Sequence, residues 1–279
     1  MRTLTVQQPA SDALRRLLGG HHHDPFEVLG CHRQGGQWLL RALLPGAAEA
    51  EVVRDGSAVP LEREPGTDLF SCTLAGAAVP AYQLRWREHQ GEWRQEEDPY
   101  RFGPTIGDLD LHLFGEGRHW HAYRFLGAHV HVADDIPGTL FAVWAPNAVR
   151  ISVVGDFNLW DGRAHPMRSR GGFGVWELFI PGLAAGHLYK FEIRTQAGDV
   201  MLKADPFANR FQQRPETACV IEGPSGHAWQ DGDWLSKRRE YDWQRAPMAT
   251  YEVHLGSWVQ DGGLFVNYRE LAHRLADYV

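Results

Sequence analysis

The chain has 279 residues, of which 43% are hydrophobic and 23% charged, and a formal net charge of -7. This length predicts about two domains, and the negative charge argues against a nucleic acid or an anionic membrane as partner. No apolar run approaches the ~20 residues of a membrane span, and the start lacks the apolar core of a signal peptide. Three widely spaced cysteines without a CxxC pattern predict free thiols in a reducing compartment and therefore a cytoplasmic protein.

The first twenty residues predict a short helix. Ser11 can cap its start and Gly19-Gly20 can end it. The apolar positions that keep helical spacing are Leu14, Leu17 and Leu18. We interpret the following His21–His23 as a solvated linker, because consecutive loop residues cannot all point at one ion and no Cys or carboxylate cluster completes a site. The sequence therefore predicts no metal site.

Two long stretches of the chain repeat each other. Short motifs recur in the same order, at an offset that grows from 97 to 101 and then to 107 residues. The matching pairs are Leu29–His32 with Leu126–His129, Leu40–Gly46 with Phe141–Asn147, Val52 and Asp55 with Val153 and Asp156, Tyr82–Leu84 with Tyr189–Phe191, and Asp98–Tyr100 with Asp205–Phe207. Motifs that keep their order while the offset grows predict two copies of one module, with longer loops in the second.

Within each copy, apolar and polar residues alternate as they do in half-buried antiparallel strands. The rows expected to face inward in the second copy are Tyr189, Phe191 and Ile193 on one strand and Trp176, Leu178 and Ile180 on another, with Glu177 and Phe179 opposite the latter row. Glycine and proline turns separate these short strands. The pattern predicts a mainly β chain with two tandem immunoglobulin-like β-sandwiches.

One turn of the second copy has the residues of a sugar-binding site. Gly155–Asn158 leads into Trp160, and Lys190 lies on a nearby strand. An indole can stack on a pyranose face while polar side chains take the hydroxyls, so Trp160, Asn158 and Lys190 are the candidate glucan-binding residues. The alternative is that Trp160 is a core or interface residue, because most tryptophans are largely buried. The first copy has Arg54–Val59 at this place, without an aromatic residue, and we interpret it as a structural or docking module.

The pattern changes after the second copy. A charged run at Lys237–Glu240 followed by Ala246-Pro247 indicates a linker. Thr250–Leu255 predicts a strand, and Asn267 with Glu270 resembles the capping box of a helix. The apolar stripe of that helix would be Tyr268, Leu271, Leu275 and Tyr278. Because a single β/α unit needs parallel neighbours for its strand, we expect the chain to be truncated.

Taken together, these motifs resemble bacterial glycogen branching enzymes. The residues that carry the resemblance are Phe141–Asn147, Gly155–Gly162, His165–Met167, Gly174–Gly182, Tyr189–Ile193, Lys203–Pro206, Arg214–Ala218 and Tyr251–Trp258. The similarity covers essentially the whole chain, and the doubled front half is like the long-form members that carry an extra N-terminal module. It implies a glycogen-binding type of carbohydrate-binding module, followed by the first strand and helix of a (β/α)8 catalytic barrel. The implied domains are a helix at 1–20, modules at 21–112 and 113–225, a linker at 226–247 and the barrel start at 248–279.

The resemblance also implies an activity for the complete protein. An α-1,4 glucan is cleaved through a covalent glycosyl-enzyme, and the segment is moved to a 6-hydroxyl to form an α-1,6 branch. This needs two carboxyl groups about 5 Å apart, which in the family lie on later barrel strands. We therefore assign no catalytic residue, neither Glu252 nor Asp261, and expect the chain alone to be inactive. The expected partner is glycogen or a linear α-1,4 glucan, bound by a monomer without a cofactor.

In glycogen-binding modules a stacking indole and a hydroxyl-binding lysine occupy the places of Trp160 and Lys190. The second stacking tryptophan of the best binders is missing, because Thr195–Val200 contains none. Binding by the isolated module should then be weak, roughly millimolar.

Two alternatives stay open. A debranching enzyme or a malto-oligosyltrehalose trehalohydrolase relative would share the binding module, but the doubled front half and Tyr251–Trp258 argue against it. A stand-alone glycogen-binding protein would have no use for the lone β/α unit.

Overall fold

The computed structural model describes residues 12–79 and 81–279. The chain divides into two compact units, one up to Ser225 and one from Gly226. Helix α1 covers Asp12–Leu18, as predicted, and buries Leu17. The predicted cap at Ser11 lies outside the described residues.

The first copy consists of two antiparallel four-stranded sheets. One sheet has the order β1-β2-β6-β5 and the other β4-β3-β7-β8. The strands are β1 (Gly30–Gln34), β2 (Gln37–Leu43), β3 (Glu49–Arg54), β4 (Ser57–Pro60), β5 (Glu62–Arg63), β6 (Leu69–Leu74), β7 (Gln83–Arg87) and β8 (Arg94–Glu96). Side chains from both sheets, among them Leu40, Val52, Phe70 and Leu84, share one core.

The second copy repeats this arrangement. Its sheets have the orders β12-β13-β10-β9 and β11-β14-β17-β16, and β15 also pairs with β14. The strands are β9 (Gly127–Ala133), β10 (Ile136–Trp144), β11 (Ala148–Gly155), β12 (Arg168–Ser169), β13 (Val175–Pro181), β14 (Leu188–Thr195), β15 (Val200–Lys203), β16 (Arg210–Phe211) and β17 (Cys219–Val220). Strands β9, β10 and β13 occupy the places of β1, β2 and β6, so the topology agrees with the repeat found in the sequence.

The same buried hydrogen bond occurs in both copies. Tyr82 donates its hydroxyl to Asp98 and Tyr189 donates to Asp205, each over 2.6 Å. All four residues are at most 3% exposed. Burial raises the pKa of Asp98 to about 6, although the hydrogen bonds it accepts oppose that shift. The recurring Tyr and Asp-Pro motifs of the sequence are therefore the two halves of one contact, which we call the Tyr–Asp lock.

The segment that joins the copies covers a face of β13 that was expected to lie open. It includes short 3-10 helices at Pro99–Arg101 and Ala122–Arg124 and helix α2 at Asp108–Gly115. Glu177 is 1% exposed, accepts hydrogen bonds from the backbone N–H groups of Thr105 and Ile106, and pairs with Arg170 over 2.9 Å. The expectation of a half-buried strand is wrong for β13, because both its faces are packed.

The histidine run is also less exposed than predicted. His22 is 2% exposed, and its Nδ1 accepts a hydrogen bond from the backbone N–H of Asp24. Burial lowers the pKa of its imidazole. The carbonyl of His23 accepts from the backbone N–H of Ser169, which joins this segment to β12. The middle histidine is therefore packed, while His21 and His23 are exposed as predicted for a linker; a 3-10 turn at Pro25–Glu27 follows. Within residues 12–79 and 81–279, no group of three His, Cys, Asp or Glu could hold a metal ion.

The unit from Gly226 differs from the prediction in two places. The expected linker contains helix α3 (Gly232–Glu240). The expected strand at Thr250–Leu255 is wrong, because residues 251–254 have no regular structure and Leu255–Trp258 forms the short helix α4. Tyr251 is half exposed, and its hydroxyl accepts from the indole of Trp258. In the described part of the chain this segment has no strand partner, and a strand without a partner is not stable.

The predicted C-terminal helix is confirmed as α5 (Tyr268–Tyr278). The Asn267 side chain accepts from the backbone N–H groups of Arg269 and Glu270, each over 3.1 Å. Before it, β18 (Gln260–Asp261) and β19 (Leu264–Phe265) form a small hairpin. None of the described helices is long and apolar enough to cross a membrane.

The Tyr–Asp lock gives a paired test of the repeat. Tyr82→Phe and Tyr189→Phe each leave a buried carboxylate with one partner fewer, so each should lower the free energy of unfolding by about 1–3 kcal/mol. Urea unfolding of the two variants and the wild type measures this. Tyr123→Phe, at a half-exposed tyrosine, is the control and should stay within about 0.5 kcal/mol. A neutral effect in either lock variant would contradict the structural role of that bond.

Candidate functional site

The candidate site is built on the turn that follows β11. A 3-10 turn at Asp156–Asn158 leads to Leu159 and Trp160, whose φ angles are 55° and 61°. In the first copy β3 and β4 are joined only by the tight turn Asp55-Gly56, with φ angles of 48° and 76°. Two successive non-glycine residues in the left-handed region are uncommon, and such conformations persist only where surrounding contacts hold them.

The turn is a lengthened hairpin. In the first copy Glu51 pairs with Pro60 across β3 and β4. In the second copy Ser152 pairs with Pro166, and these two residues lie at offsets of 101 and 106 from their counterparts. The extra residues therefore lie between two pairing positions that both copies keep. We call residues 155–166 the Trp160 turn.

Asn158 holds the start of the turn. Its Oδ1 accepts from the backbone N–H of Gly155 and its Nδ2 donates to the carbonyl of Val153, both over 2.9 Å. Nδ2 also lies 2.8 Å from Nδ1 of His165. Burial lowers the pKa of His165 to about 4, so the imidazole is neutral and can accept this hydrogen bond. The predicted role of Asn158 as a sugar contact stays a prediction, and its side chain already has these partners.

Two glycines let the turn lie close against β14. A Cβ at Gly155 would meet the backbone carbonyl of Leu188, and one at Gly162 would meet the carboxylate of Glu192. A larger residue at position 155 must therefore move the turn or the strand, whereas one at position 162 must displace the Glu192 side chain. Both glycines belong to the motifs of the resemblance, but no sequence pattern indicated these contacts.

Trp160 is not a core residue. Its side chain is 37% exposed, and the neighbouring Leu159 is 74% exposed. The backbone N–H of Trp160 donates to the carbonyl of Gly155 over 2.9 Å. The backbone that carries the indole is thus held by hydrogen bonds, and the Trp160 side chain is partly open to solvent.

Lys190 lies on the same side of the sheet as the turn. It pairs with Val154 across β11 and β14, between the buried Tyr189 and Phe191, so its side chain points away from the core. Glu192, two residues further on, shares that face and touches Gly162. The Nζ of Lys190 donates to the hydroxyl of Thr217 over 2.7 Å. The Trp160 turn therefore crosses the outer face of β14 beside Lys190.

The end of the turn is tied to the first copy. Arg163 pairs with Asp161 over 2.6 Å and with Asp68 of the first copy over 3.0 Å. Burial alone would raise the pKa of Asp161, but the hydrogen bonds from Arg163 outweigh it and lower that pKa. The hydroxyl of Tyr100 donates to the carbonyl of Pro166 over 3.1 Å. Nothing in the sequence predicted the contacts with Asp68 and Tyr100, because each joins residues that are far apart in the chain.

Comparison with known proteins gives two family matches. Residues 10–100 match the alpha-1,4-glucan branching enzyme GlgB, N-terminal domain, and residues 125–208 match carbohydrate-binding module 48, the isoamylase N-terminal domain. The second match includes Asn158, Trp160 and Lys190. The N-terminal match covers the first copy, which has no equivalent of the Trp160 turn.

Individual relatives match almost the whole chain. A 1,4-alpha-glucan branching enzyme GlgB from Methylococcus capsulatus is 53% identical over 273 residues, covering 96% of this chain and 36% of that protein. The same enzyme from Cellvibrio japonicus is 52% identical over 284 residues, covering 98% of this chain and 38% of that protein. Among solved structures, pullulanase type I from Bacillus subtilis str. 168 has a TM-score of 0.31 and 18% identity, covering 72% of this chain and 27% of that one. The chain spans a little over a third of the length of the curated relatives it matches.

The close contact at Gly155 predicts a strong effect of a single methyl group. Gly155→Ala should lower the free energy of unfolding by about 2 kcal/mol, because the new Cβ overlaps a backbone carbonyl that cannot rotate away. Gly172→Ala is the matched control, since no atom lies within 4 Å of a Cβ there, and should stay within about 0.5 kcal/mol. Urea unfolding of the two variants makes the comparison. Equal stability of both variants would mean that the turn does not press on β14.

Proposed function

We propose, from the match of nearly its whole length to the N-terminal region of GlgB branching enzymes, that this chain belongs to the GlgB family and that residues 113–225 bind α-1,4 glucan through the Trp160 turn. The proposal rests chiefly on one observation. A partly exposed indole belongs to a turn that is held by Asn158 and that packs, through Gly162, against β14, the strand of Lys190. An indole on a backbone held in this way loses less conformational freedom when it stacks on a sugar ring, and an ammonium group can donate to the hydroxyls.

We further propose that the complete protein is a 1,4-alpha-glucan branching enzyme. It would cleave an α-1,4 glucan, retain the segment as a covalent glycosyl-enzyme and transfer it to a 6-hydroxyl as an α-1,6 branch. The two carboxyl groups that this needs would come from the part of the enzyme beyond the region matched here. The role of this chain would be to hold the polymer near that site, which raises the local concentration of glucan ends.

The finer architecture belongs to the same proposal. The two sheets of each copy, with four and four strands in the first and four and five in the second, support two immunoglobulin-like sandwiches, and the second would be the glycogen-binding module. Residues 248–279 would begin a (β/α)8 barrel, with α5 as its first helix.

The partner and cellular location follow from the same reading. The three free thiols support a cytoplasmic location, and the negative net charge supports glycogen or linear glucan rather than nucleic acid or membrane as the partner. That the protein is a monomer is part of the same proposal.

Native gels with and without glycogen test the binding proposal. Glycogen should retard the wild-type chain, and Trp160→Ala should weaken this retardation roughly tenfold, because one indole stack contributes about 1–2 kcal/mol. Trp120→Ala is the matched control: it removes an indole of the same copy that is 90% exposed, and its retardation should equal that of the wild type.

Two results of these gels would refute the proposal of glucan binding at Trp160. Retardation that survives in Trp160→Ala would assign glucan binding to another surface. No retardation of the wild type would mean that the two copies serve as a scaffold only.

The activity proposal predicts that this chain alone does not branch glucan. Incubation with amylose should leave the iodine absorbance spectrum unchanged, and isoamylase treatment of the product should release no new chains. New α-1,6 linkages formed by the purified 279-residue chain would contradict the assignment of catalysis to the remaining part of the protein.

A further inference from the structure

A cleft of about 150 Å³ lies between the first copy and the Trp160 turn. Residues from both copies line it, so neither copy forms it alone. Ligand sites are often found at such junctions, where apolar walls meet a few polar groups. Each family match covers only one wall of this cleft, since the first-copy wall lies within residues 10–100 and the opposite wall within residues 125–208.

The first-copy wall combines an indole with charged side chains. Trp86 lies on β7 in register with Arg94 of β8, and it packs against the core of the first copy. Glu88 and Glu96 also line the cleft. The ion pair between Arg94 and Glu88 is long, at 3.7 Å. The Glu96 carboxylate has no hydrogen-bond donor within residues 12–79 and 81–279. These carboxylates keep acceptor capacity for a ligand.

The opposite wall is the Trp160 turn itself. Leu159 and Asp161, the residues on either side of Trp160, both line the cleft, and so does His165. The bridge from Arg163 to Asp68 and the hydrogen bond from Tyr100 to Pro166 keep this wall against the first copy. Trp160 stands between Leu159 and Asp161 in the chain, so a polymer that stacks on it would run along the same turn that forms this wall.

We propose that this cleft is a second α-glucan subsite, continuous with the one at Trp160. The cleft adds an indole, carboxylate acceptors and a guanidinium group beside the Trp160 turn. Sugar hydroxyls would donate to Glu88 and Glu96 while a ring packs on Trp86. The inference rests on the proposed function, since it extends the path of the same polymer. It gives the first copy a direct part in glucan binding, although that copy has no Trp160 turn of its own.

The test compares a short and a long glucan. NMR titration of the 279-residue chain with maltotriose and with maltoheptaose gives a ratio of the two affinities. In Trp86→Ala this ratio should fall about fivefold, because only the longer sugar reaches both indoles. Glu96→Ala should lower the ratio in the same direction and keeps the Trp86 packing intact. Trp93→Ala is the matched control, since that indole belongs to the same copy but contacts Arg85 and Arg87 outside the cleft.

The outcomes separate the two proposals. Trp160→Ala should lower the affinity for both sugars, whereas the cleft variants should lower the ratio. If Trp86→Ala and Glu96→Ala both keep the wild-type ratio while Trp160→Ala loses affinity, the second subsite is refuted and glucan binding at Trp160 stands. If the wild type binds neither sugar, both proposals fail.

Discussion

A buried tyrosine hydroxyl bound to a buried carboxylate sets the geometry on which the rest of this molecule depends. In the first copy, Asp98 accepts from Tyr82 through one oxygen and from the backbone N–H of Tyr100 through the other. This places the ring of Tyr100 so that its own hydroxyl reaches Pro166, at the end of the Trp160 turn. The scaffold of one copy is thereby connected, through three successive hydrogen bonds, to the binding turn of the other.

Local patterns predicted the parts of the fold that depend on neighbours in sequence. The alternation around Phe191 and the cap at Asn267 both correspond to elements in the structure. Glu177 shows the limit, because a single charged residue in an alternating strand is expected to face water, and only the folded segment before it supplies the N–H groups that bury it. The strand predicted at Thr250–Leu255 failed for a related reason. Strand propensity describes how a segment fits into a sheet, and no strand in the described part of the chain pairs with this segment.

The sequence predicted which residues belong to the candidate site, but not the contacts that hold them in place. The sequence indicated Trp160 and Lys190 by residue type, and the structure places the Trp160 turn and Lys190 on one face. Within the turn His165 supports Asn158, but the end of the turn is held by Asp68 and Tyr100, whose side chains meet it only through the packing of the two copies. Residues so far apart in sequence carry no local signal of their contact, and this is why the cleft beside the turn could not be predicted either.

The lengthened hairpin has a consequence for how such modules diverge. In both copies the residue pairs that flank the insertion, Glu51 with Pro60 and Ser152 with Pro166, keep their register. The pairing of the sheet therefore does not depend on the number of residues between the two members of each flanking pair. After a duplication, an insertion at this one position could give one copy a ligand-binding turn while the other copy kept a short connection. The core that both copies share would not have to change.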